Sequence, residues 1–307
     1  MDLTMRRILI LTAVSLISGC SPRKIAIENL GTALGDAISK GGTTYSRDDD
    51  PELIKEAGPA ALKTIEALID ESPKHPGLLL TATSGFTQYA FAYVQCEADY
   101  VESQDLARAT ELRARARALY RRAMGYGLRG IESRQPGFGE KLRTNADSSL
   151  APMRKADVPF LFWTGNAWGA LISLSTTDAD AMADLPLVAA IMRRALELDE
   201  GFSAGSIHDF FIAYEGGLPA AAGGSAQRAR HHFARAQELG RGQRAAPLIA
   251  FAETVLLAEQ NRSEFERILQ EALTVDINAN PDHRLANLIA QKRGRWLLGR
   301  MNELFVE

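Results

Sequence analysis

The sequence predicts an all-α protein. From Pro22 onward, nearly every segment repeats its apolar residues at the spacing of one face of an α-helix. Runs in which valine, isoleucine, threonine or aromatic residues alternate with polar ones, as in a strand, are missing. The 307 residues are 46% hydrophobic and 24% charged, so the chain has enough apolar surface for a large core, and its composition excludes a disordered protein.

Local signals mark where the helices begin and end. The acidic run 48–50 before Pro51 supplies an N-cap and a proline at the first helical position, and Ser72-Pro73 ends the same helix. The stretch 125–156 is richer in glycine, proline and serine, so we expect a loop there with one short helix near residues 139–143. The expected helices span residues 23–39, 51–71, 76–95, 103–124, 157–174, 185–199, 203–214, 225–239, 246–259, 262–274 and 283–299.

A spacing that recurs in these helices indicates how they are arranged. The second helix of a tetratricopeptide unit has the pattern Ala-x3-Phe-x2-Ala, in which small residues admit a neighbouring helix and the large one fills the groove. Matches begin at Ala61, Ala116, Val188 and Ala229, at irregular intervals, and each lies beside a helix rich in glycine and aromatic residues. These pairs predict a divergent tetratricopeptide-like superhelix. An unrelated helical bundle is the alternative.

The first twenty residues have the features of a bacterial lipoprotein signal. Arg6 and Arg7 precede the apolar run 8–17, and the sequence Ile-Ser-Gly-Cys that ends at Cys20 resembles a lipobox, in which the cysteine becomes the acylated first residue. A transmembrane anchor is the alternative, but it would need roughly 20 apolar residues, about twice the number present. We therefore expect lipidation at Cys20. Ser21 beside it favours sorting to the outer membrane.

These boundaries predict a signal peptide over 1–19, an acylated N-terminus with a tether and short helix over 20–50, and a single helical tetratricopeptide-like domain over 51–300. The 35 Lys+Arg and 38 Asp+Glu give a net charge of −3, which becomes −4 when residues 1–19, of net charge +1, are removed. A nucleic-acid partner would require an excess of basic residues, so we expect none. With Cys20 acylated, Cys96 has no disulfide partner and is expected to be a buried thiol.

The residues that could carry catalysis do not have workable spacing. A G-x-G-x-x-G sequence at 125–130 matches a dinucleotide fingerprint, but no strand precedes it, so we interpret these glycines as caps of a helix that ends near residue 124. Ser206, His208 and Asp209 are too close in sequence to share one helix face. The chain contains no H-E-x-x-H or Cys-His cluster. The sequence thus predicts a non-enzymatic protein with no cofactor and no metal.

One expected helix is strongly basic. Arg113, Arg117 and Arg121 recur every four residues within 103–124, with further arginines beside them. A solvated helix face explains this pattern. The alternative is an electrostatic docking surface for an acidic partner.

Aromatic residues concentrate on three expected helices, 76–95, 157–174 and 203–214. Core packing is the usual role of such residues. A superhelix of helix pairs also has a concave face or a central hole, which aromatic and polar side chains can line. The candidates for a ligand-binding or pore-lining surface are Trp163, Thr164, Asn166, Trp168, His208 and Tyr214.

Several stretches, in consistent order over roughly residues 50–297, resemble the T component of tripartite ATP-independent periplasmic (TRAP) transporter-associated systems, a family of helical tetratricopeptide lipoproteins. The more specific ones are the Phe-Trp-Thr-Gly block that begins at Phe162 and the Arg-Leu-Ala-Asn block that begins at Arg284. The others are His75-Pro76-Gly77-Leu78-Leu79-Leu80, Ser84-Gly85-Phe86-Thr87, Ala98-Asp99-Tyr100, Arg113-Ala114-Arg115-Ala116, Val158-Pro159 and Ala195-Leu196-Glu197-Leu198-Asp199.

The resemblance implies a non-enzymatic partner of a periplasmic substrate-binding protein. Such a component forms a homo-oligomer, a trimer, and holds or passes a small, hydrophobic ligand through a cavity in each protomer. Together with the lipobox, it predicts a lipid-anchored protein on the periplasmic side of a bacterial membrane, the outer membrane. The alternative function is a general tetratricopeptide scaffold lipoprotein for the assembly of envelope or outer-membrane proteins.

Overall fold

The computed structural model describes residues 22–40 and 43–305, and over those ranges it consists of helices joined by turns and loops, with no strand. The all-α fold predicted from the sequence is therefore confirmed. The predicted signal peptide and the predicted lipidation site, Cys20, lie outside the described residues. None of the described helices is both long enough and apolar enough to cross a bilayer.

Most helices have the bounds that the sequence predicts. In chain order they are α1 (Pro22–Ser39), α2 (Pro51–Glu71), α3 (Pro76–Tyr89), α4 (Cys96–Val101), α5 (Leu106–Glu132), α6 (Phe138–Thr144), α7 (Ala146–Leu150), α8 (Val158–Ser173), α9 (Ala179–Ala183), α10 (Leu185–Leu198), α11 (Ser206–Gly217), α12 (Ala226–Gly240), α13 (Ala246–Phe251), α14 (Arg262–Thr274), α15 (Arg284–Gly299) and α16 (Met301–Leu304). Two π-helical turns, Ala90–Gln95 and Ala252–Leu256, continue α3 and α13.

The capping residues explain why these helix bounds could be predicted from the sequence. Asp50 accepts hydrogen bonds from the backbone N–H groups of Glu52 and Leu53, at 3.1 and 3.0 Å, and so caps α2 as predicted. Ser225 caps α12 in the same way, accepting a hydrogen bond from the backbone N–H of Arg228 at 3.2 Å. Such contacts lie within four residues of each other, so they need no tertiary structure.

The expectation for residues 125–132 is wrong, because α5 continues through them to Glu132. The glycines there are not caps. A Cβ atom at Gly127 would overlap the Thr164 hydroxyl, and one at Gly130 would overlap the Phe160 ring. These glycines therefore allow α5 to lie closely against α8. The short helix expected near 139–143 is present as α6, and α7 follows it without having been predicted.

The start of α11 also differs from expectation. Ser203, Ala204 and Gly205 all have left-handed backbone angles, with φ of 47°, 53° and 84°, so the helix begins at Ser206 rather than at residue 203. Two hydrogen bonds secure this turn. The Arg244 side chain donates to the Ala204 carbonyl at 3.1 Å, and the Ser206 hydroxyl donates to the Ser203 carbonyl at 2.7 Å. Left-handed non-glycine residues are strained and persist only where their surroundings hold them.

Most repeat positions lie in the interior, as a superhelix of helix pairs requires, whereas those of the match that begins at Ala61 are partly buried. The small-large-small sets on α5 and α10 are fully buried. On α12, Phe233 stacks on Phe251 of α13, with ring centroids 4.3 Å apart. Successive helices pack side by side: α3 on α5, α5 on α8, α8 on α10, α10 on α11, α11 on α12 and α13, α13 on α14, and α14 on α15.

The superhelix closes on itself. The last long helix, α15, lies against α2 and the preceding loop, and the backbone N–H of Leu285 donates to the carbonyl of Ser46 at 3.0 Å. Two main apolar clusters fill the resulting ring. The N-terminal cluster has buried members from Ile27 to Phe211, and the C-terminal cluster has buried members from Ile212 to Phe305. The boundary between the two clusters lies within α11, between Phe211 and Ile212.

Candidate ligand-binding face and the two ring junctions

Helix α8 presents its four predicted site residues on two different faces. Trp163 and Asn166, three residues apart, share a partly exposed face, and the Asn166 amide donates to the Phe162 carbonyl at 2.8 Å. Thr164 and Trp168, four residues apart, are buried. Thr164 lies against α5, and the Arg143 guanidinium lies over the Trp168 ring at 5.6 Å.

Helix α11 places its two predicted site residues apart as well. Tyr214 is partly exposed and stacks on Phe210, with ring centroids 5.7 Å apart and an interplanar angle of 19°. Phe210 in turn lies against Gly169, so this aromatic pair adjoins α8. His208 is 2% exposed and faces α12 instead. The structure thus leaves Trp163, Asn166 and Tyr214 accessible, and the pore-lining role of the six residues stays a prediction.

One polar atom on the accessible face lacks a partner. The Trp163 indole N–H is buried, and no acceptor for it lies among the described residues. An unsatisfied buried donor costs free energy, so such groups are rare in folded proteins. A ligand with a hydrogen-bond acceptor could satisfy this donor.

The first ring junction is where α10, α11 and α12 meet. His208 Nδ1 lies 2.8 Å from His232 Nδ1, and the other nitrogen of His208 lies 3.2 Å from Glu200 Oε1. Arg235 contacts both Glu200 oxygens, at 3.0 and 2.9 Å. Two Nδ1 atoms at this distance share one proton, so the histidines cannot both be charged without breaking the contact.

The electrostatics of this junction keep the two histidines neutral. Burial, together with the nearby His208 and His231, lowers the pKa of His232 to about 4. Burial also lowers the pKa of His208, although Glu200 opposes the shift. Asp209 pairs with Arg244 beside the left-handed turn, and burial raises the pKa of Asp209 against the effect of that arginine. The two histidines are therefore uncharged near neutral pH, beside the ion pairs Glu200–Arg235 and Asp209–Arg244.

The second junction is an ionic seam, which we define as the contacts of residues 46–52 and 93–100 with residues 282–296. At its centre Arg293 Nη1 donates to Asp99 Oδ2 at 3.0 Å, and Arg293 Nε donates to Glu253 Oε1 at 2.8 Å. The Arg293 side chain is only 13% exposed. Burial opposes its charge, but Glu253 and Asp99 outweigh that effect and raise its pKa.

Cys96 lies beside this arginine. It is fully buried, as the sequence predicts, and Arg293 approaches its Sγ at 3.6 Å. Burial raises the pKa of the Cys96 thiol to about 11, although Arg293 acts in the opposite direction. The thiol therefore stays protonated and unreactive at neutral pH.

Both π-helical turns adjoin the seam. The turn Ala90–Gln95 leads directly into Cys96, and the turn Ala252–Leu256 contains Glu253. Each π-turn admits an extra residue into a helix, which changes the direction of the side chains that follow. Here the two turns place an acceptor on each side of Arg293, since Asp99 follows the first and Glu253 lies in the second.

Packing across the seam is incomplete. A gap of about 30 Å³ separates the aromatic side chains of Tyr93 and Tyr100 from Ile289 and Lys292. That volume is about the share of one water molecule in the liquid. The Tyr93 hydroxyl is buried without a hydrogen-bond partner among the described residues, and burial raises its pKa. The seam is therefore joined mainly by ion pairs and by one aromatic contact, between Tyr100 and Trp296, rather than by a continuous apolar core.

Sequence reasoning missed Arg293 and Glu253. Neither belongs to a motif, and each acquires its role only from a residue distant in sequence. One signal was available, because the stretches that resemble known T components include Asp99-Tyr100 and Arg113. In the structure Arg113 pairs with Asp99 at 3.3 Å, and Tyr100 packs edge-on against Trp296 at 5.3 Å.

A second pocket, of about 270 Å³, lies outside both junctions. It has an apolar floor of Ile131, Met153 and Phe160, and Arg134 and Asp157 form an ion pair at its rim, at 2.9 Å. The described residues contain no group of three or more histidine, cysteine, aspartate or glutamate side chains that could hold a metal ion.

The fold and the two junctions define a ring-shaped helical repeat protein of the tetratricopeptide class. The chain belongs to the TRAP transporter T-component family, whose model matches residues 47–305. This match covers every helix from α2 to α16, and it makes the protein an accessory component of a TRAP transport system, periplasmic or membrane-associated. A protein of Treponema pallidum (strain Nichols), described as uncharacterized, is 28% identical over an alignment 307 positions long that covers 95% of this chain and 95% of the relative.

Proposed function

We propose that this protein is a non-enzymatic, lipid-anchored T component that docks a periplasmic substrate-binding protein and holds or passes a small, hydrophobic ligand. The observation that carries the proposal is the family match over residues 47–305. The proposal includes cleavage before Cys20, acylation of Cys20, outer-membrane sorting, assembly into a homotrimer, and a single helical domain over 51–300.

The ligand contact is proposed for the face formed by Trp163, Asn166 and Tyr214. All three are partly exposed, and the Phe210–Tyr214 stack adjoins α8 at Gly169. The partly exposed aromatic rings of Trp163 and Tyr214, with the Asn166 amide beside them on α8, suit a ligand that has an apolar body and a polar group. The buried residues Thr164, Trp168 and His208 would support this face by holding α8 and α11 in place.

The partner contact is proposed for the exposed face of α5. Arg115 and Arg121 are exposed, and neither has an ion-pair partner among the described residues. By contrast, Arg113 and Arg122 are engaged within the protein, by Asp99 and Glu66. Two free arginines on one helix of a protein with net charge −3 favour an acidic surface on the partner.

The test is a pull-down of the mature, acylated protein from periplasmic and membrane extracts, with mass spectrometry of the proteins and small molecules that it retains. We expect a substrate-binding protein to be recovered. Arg115→Glu with Arg121→Glu should abolish its recovery, whereas Arg267→Glu, on α14, should not. Recovery of outer-membrane assembly proteins instead would favour the general scaffold function.

The ligand-binding part of the proposal is tested separately by the double variant Trp163→Ala with Asn166→Ala. We expect loss of the retained small molecule while the helical circular dichroism stays unchanged. The matched control is Tyr45→Ala, which removes an aromatic ring that is 43% exposed but far along the chain from α8. Equal ligand loading in the double variant and the wild type would contradict the assignment of this face.

A further inference from the structure

Two connections of different character hold the ring together. One is α11, a single helix that is packed into both clusters, through Phe211 into the N-terminal one and through Ile212 into the C-terminal one. The other is the ionic seam, which no cluster of buried apolar residues crosses within the described part of the chain. The ring is thus packed on one side and held by charges on the other.

Most seam contacts are weak. The pairs Arg47–Asp282 and Lys292–Glu52 join side chains that are between 37% and 62% exposed, and exposed ion pairs contribute little because water and salt screen them. Arg293 is the buried exception. The gap beside Tyr93 removes apolar contact that would otherwise support it. The seam therefore depends largely on one side chain.

The opposite connection has the features of a hinge. The left-handed turn Ser203–Gly205 precedes α11, and its backbone is held by Arg244 from the loop after α12. Hinges are a few residues at the ends of helices that absorb changes in backbone angle while packed elements move as units. Rotation about this turn and α11 would separate the two faces of the seam without breaking either apolar cluster.

We propose that the ring opens at the ionic seam, with the turn and α11 as its hinge, and that this opening admits the ligand sideways to the α8–α11 face. The entry role rests on the proposed function, whereas the opening itself does not. Segments held mainly by polar contacts open at lower free energy than the packed core, so opening does not require unfolding.

The opening is tested by hydrogen exchange of the full-length mature protein. In the wild type, peptides covering 46–52 and 284–293 should exchange at least about tenfold faster than those of α8 and α10. Arg293→Met should speed exchange at these seam peptides by a larger factor than at α8 and α10, and Arg267→Met, which removes an exposed arginine of α14, should not. Equal exchange rates in seam and core, or a uniform rise over all of 212–305 in the variant, would overturn the proposal.

The proposed role of the seam in ligand entry is tested by closing the seam with an engineered disulfide. Ser46→Cys with Leu285→Cys places two thiols where backbone atoms already approach to 3.0 Å, and Cys96 is too buried to compete. The neutral fluorescent probe N-phenyl-1-naphthylamine should bind the oxidised variant with an on-rate about tenfold lower than the reduced one, at unchanged affinity. Equal on-rates would overturn the entry role. Failure of the probe to bind wild type would count against the proposed ligand function and the entry role, while hydrogen exchange still decides on the opening.

Discussion

The first ring junction, which is the hinge junction of the proposed opening, and the ionic seam both bury polar groups. The two differ in whether those groups are charged. At the hinge junction, His208 and His232 are kept neutral among well-packed helices, and apolar residues of both clusters surround them. At the seam, Arg293 stays charged between two carboxylates, without a shared apolar core. The first junction should therefore respond to acid, and the second to salt and to loss of a single charge.

Removal of Arg293 should have the largest effect. Arg293→Met leaves the largely buried Glu253 without a partner, whereas Asp99 keeps Arg113. Breaking a buried pair in this way costs about 3–5 kcal/mol of unfolding free energy. Urea denaturation followed by circular dichroism measures it. Arg267→Met, an exposed control, should change the value by no more than about 0.5 kcal/mol. A loss below about 1 kcal/mol for Arg293→Met would show that the seam contributes little.

Removal of Arg244 at the hinge junction should cost less. Asp209 would lose its partner in Arg244→Met, but burial already raises the pKa of Asp209, so this carboxyl can become protonated instead of remaining charged. We expect a loss of about 1–3 kcal/mol, the cost of unsatisfied polar groups. The same urea titration, repeated at pH 5, should show a smaller loss than at pH 8. An equal or greater loss at pH 5 would contradict this account.

Acid should weaken the hinge junction. The folded-state pKa of His232, about 4, lies below the unfolded value of 6.5, so the unfolded chain binds more protons between these two values. Stability should consequently fall as pH decreases through that window, lowering Tm by about 2–4 °C between pH 7.5 and 5. Differential scanning calorimetry checks this shift. His232→Phe should reduce the dependence, and His231→Phe should reduce it less, because the exposed His231 accounts for only part of the shift in the pKa of His232.

Salt should have the smallest effect, and it should act more strongly on the seam than on α11. At about 1 M salt the Debye length is only about 3 Å, so the exposed pairs Arg47–Asp282 and Lys292–Glu52 should weaken. Hydrogen exchange at 46–52 should rise by about two- to threefold, since exposed pairs contribute little each. Exchange of α11 should change less. A larger response at α11 than at the seam would reverse the comparison.

The sequence was most informative where structure depends on near neighbours. The bounds of α2 were predicted because Asp50, Pro51 and Ser72 act within one helical turn of its ends. The small residues of the repeat pattern were recognised for a similar reason, since their spacing along one helix already describes a packing surface. Cys96 was correctly expected to be buried.

Prediction from the sequence failed at residues whose role depends on a contact with another helix. Gly127 and Gly130 were interpreted as caps, although they are small because Thr164 and Phe160 occupy the space beside them. Among the six candidate site residues, spacing could not show that Trp163 and Asn166 are accessible while Thr164 and Trp168 face other helices. The left-handed turn at Ser203 depends on Arg244, which is 40 residues away from the carbonyl it contacts.

The sequence by itself determined that the chain is helical, where most of its helices begin and end, and which small residues admit a neighbouring helix. These properties follow from caps, prolines and apolar spacing, which act over a few residues. Only the tertiary structure decided that the superhelix closes into a ring and that Arg293 closes it. That contact joins residues 194 positions apart, Arg293 and Asp99, and no local pattern records a pairing that exists only when the last long helix meets the first ones.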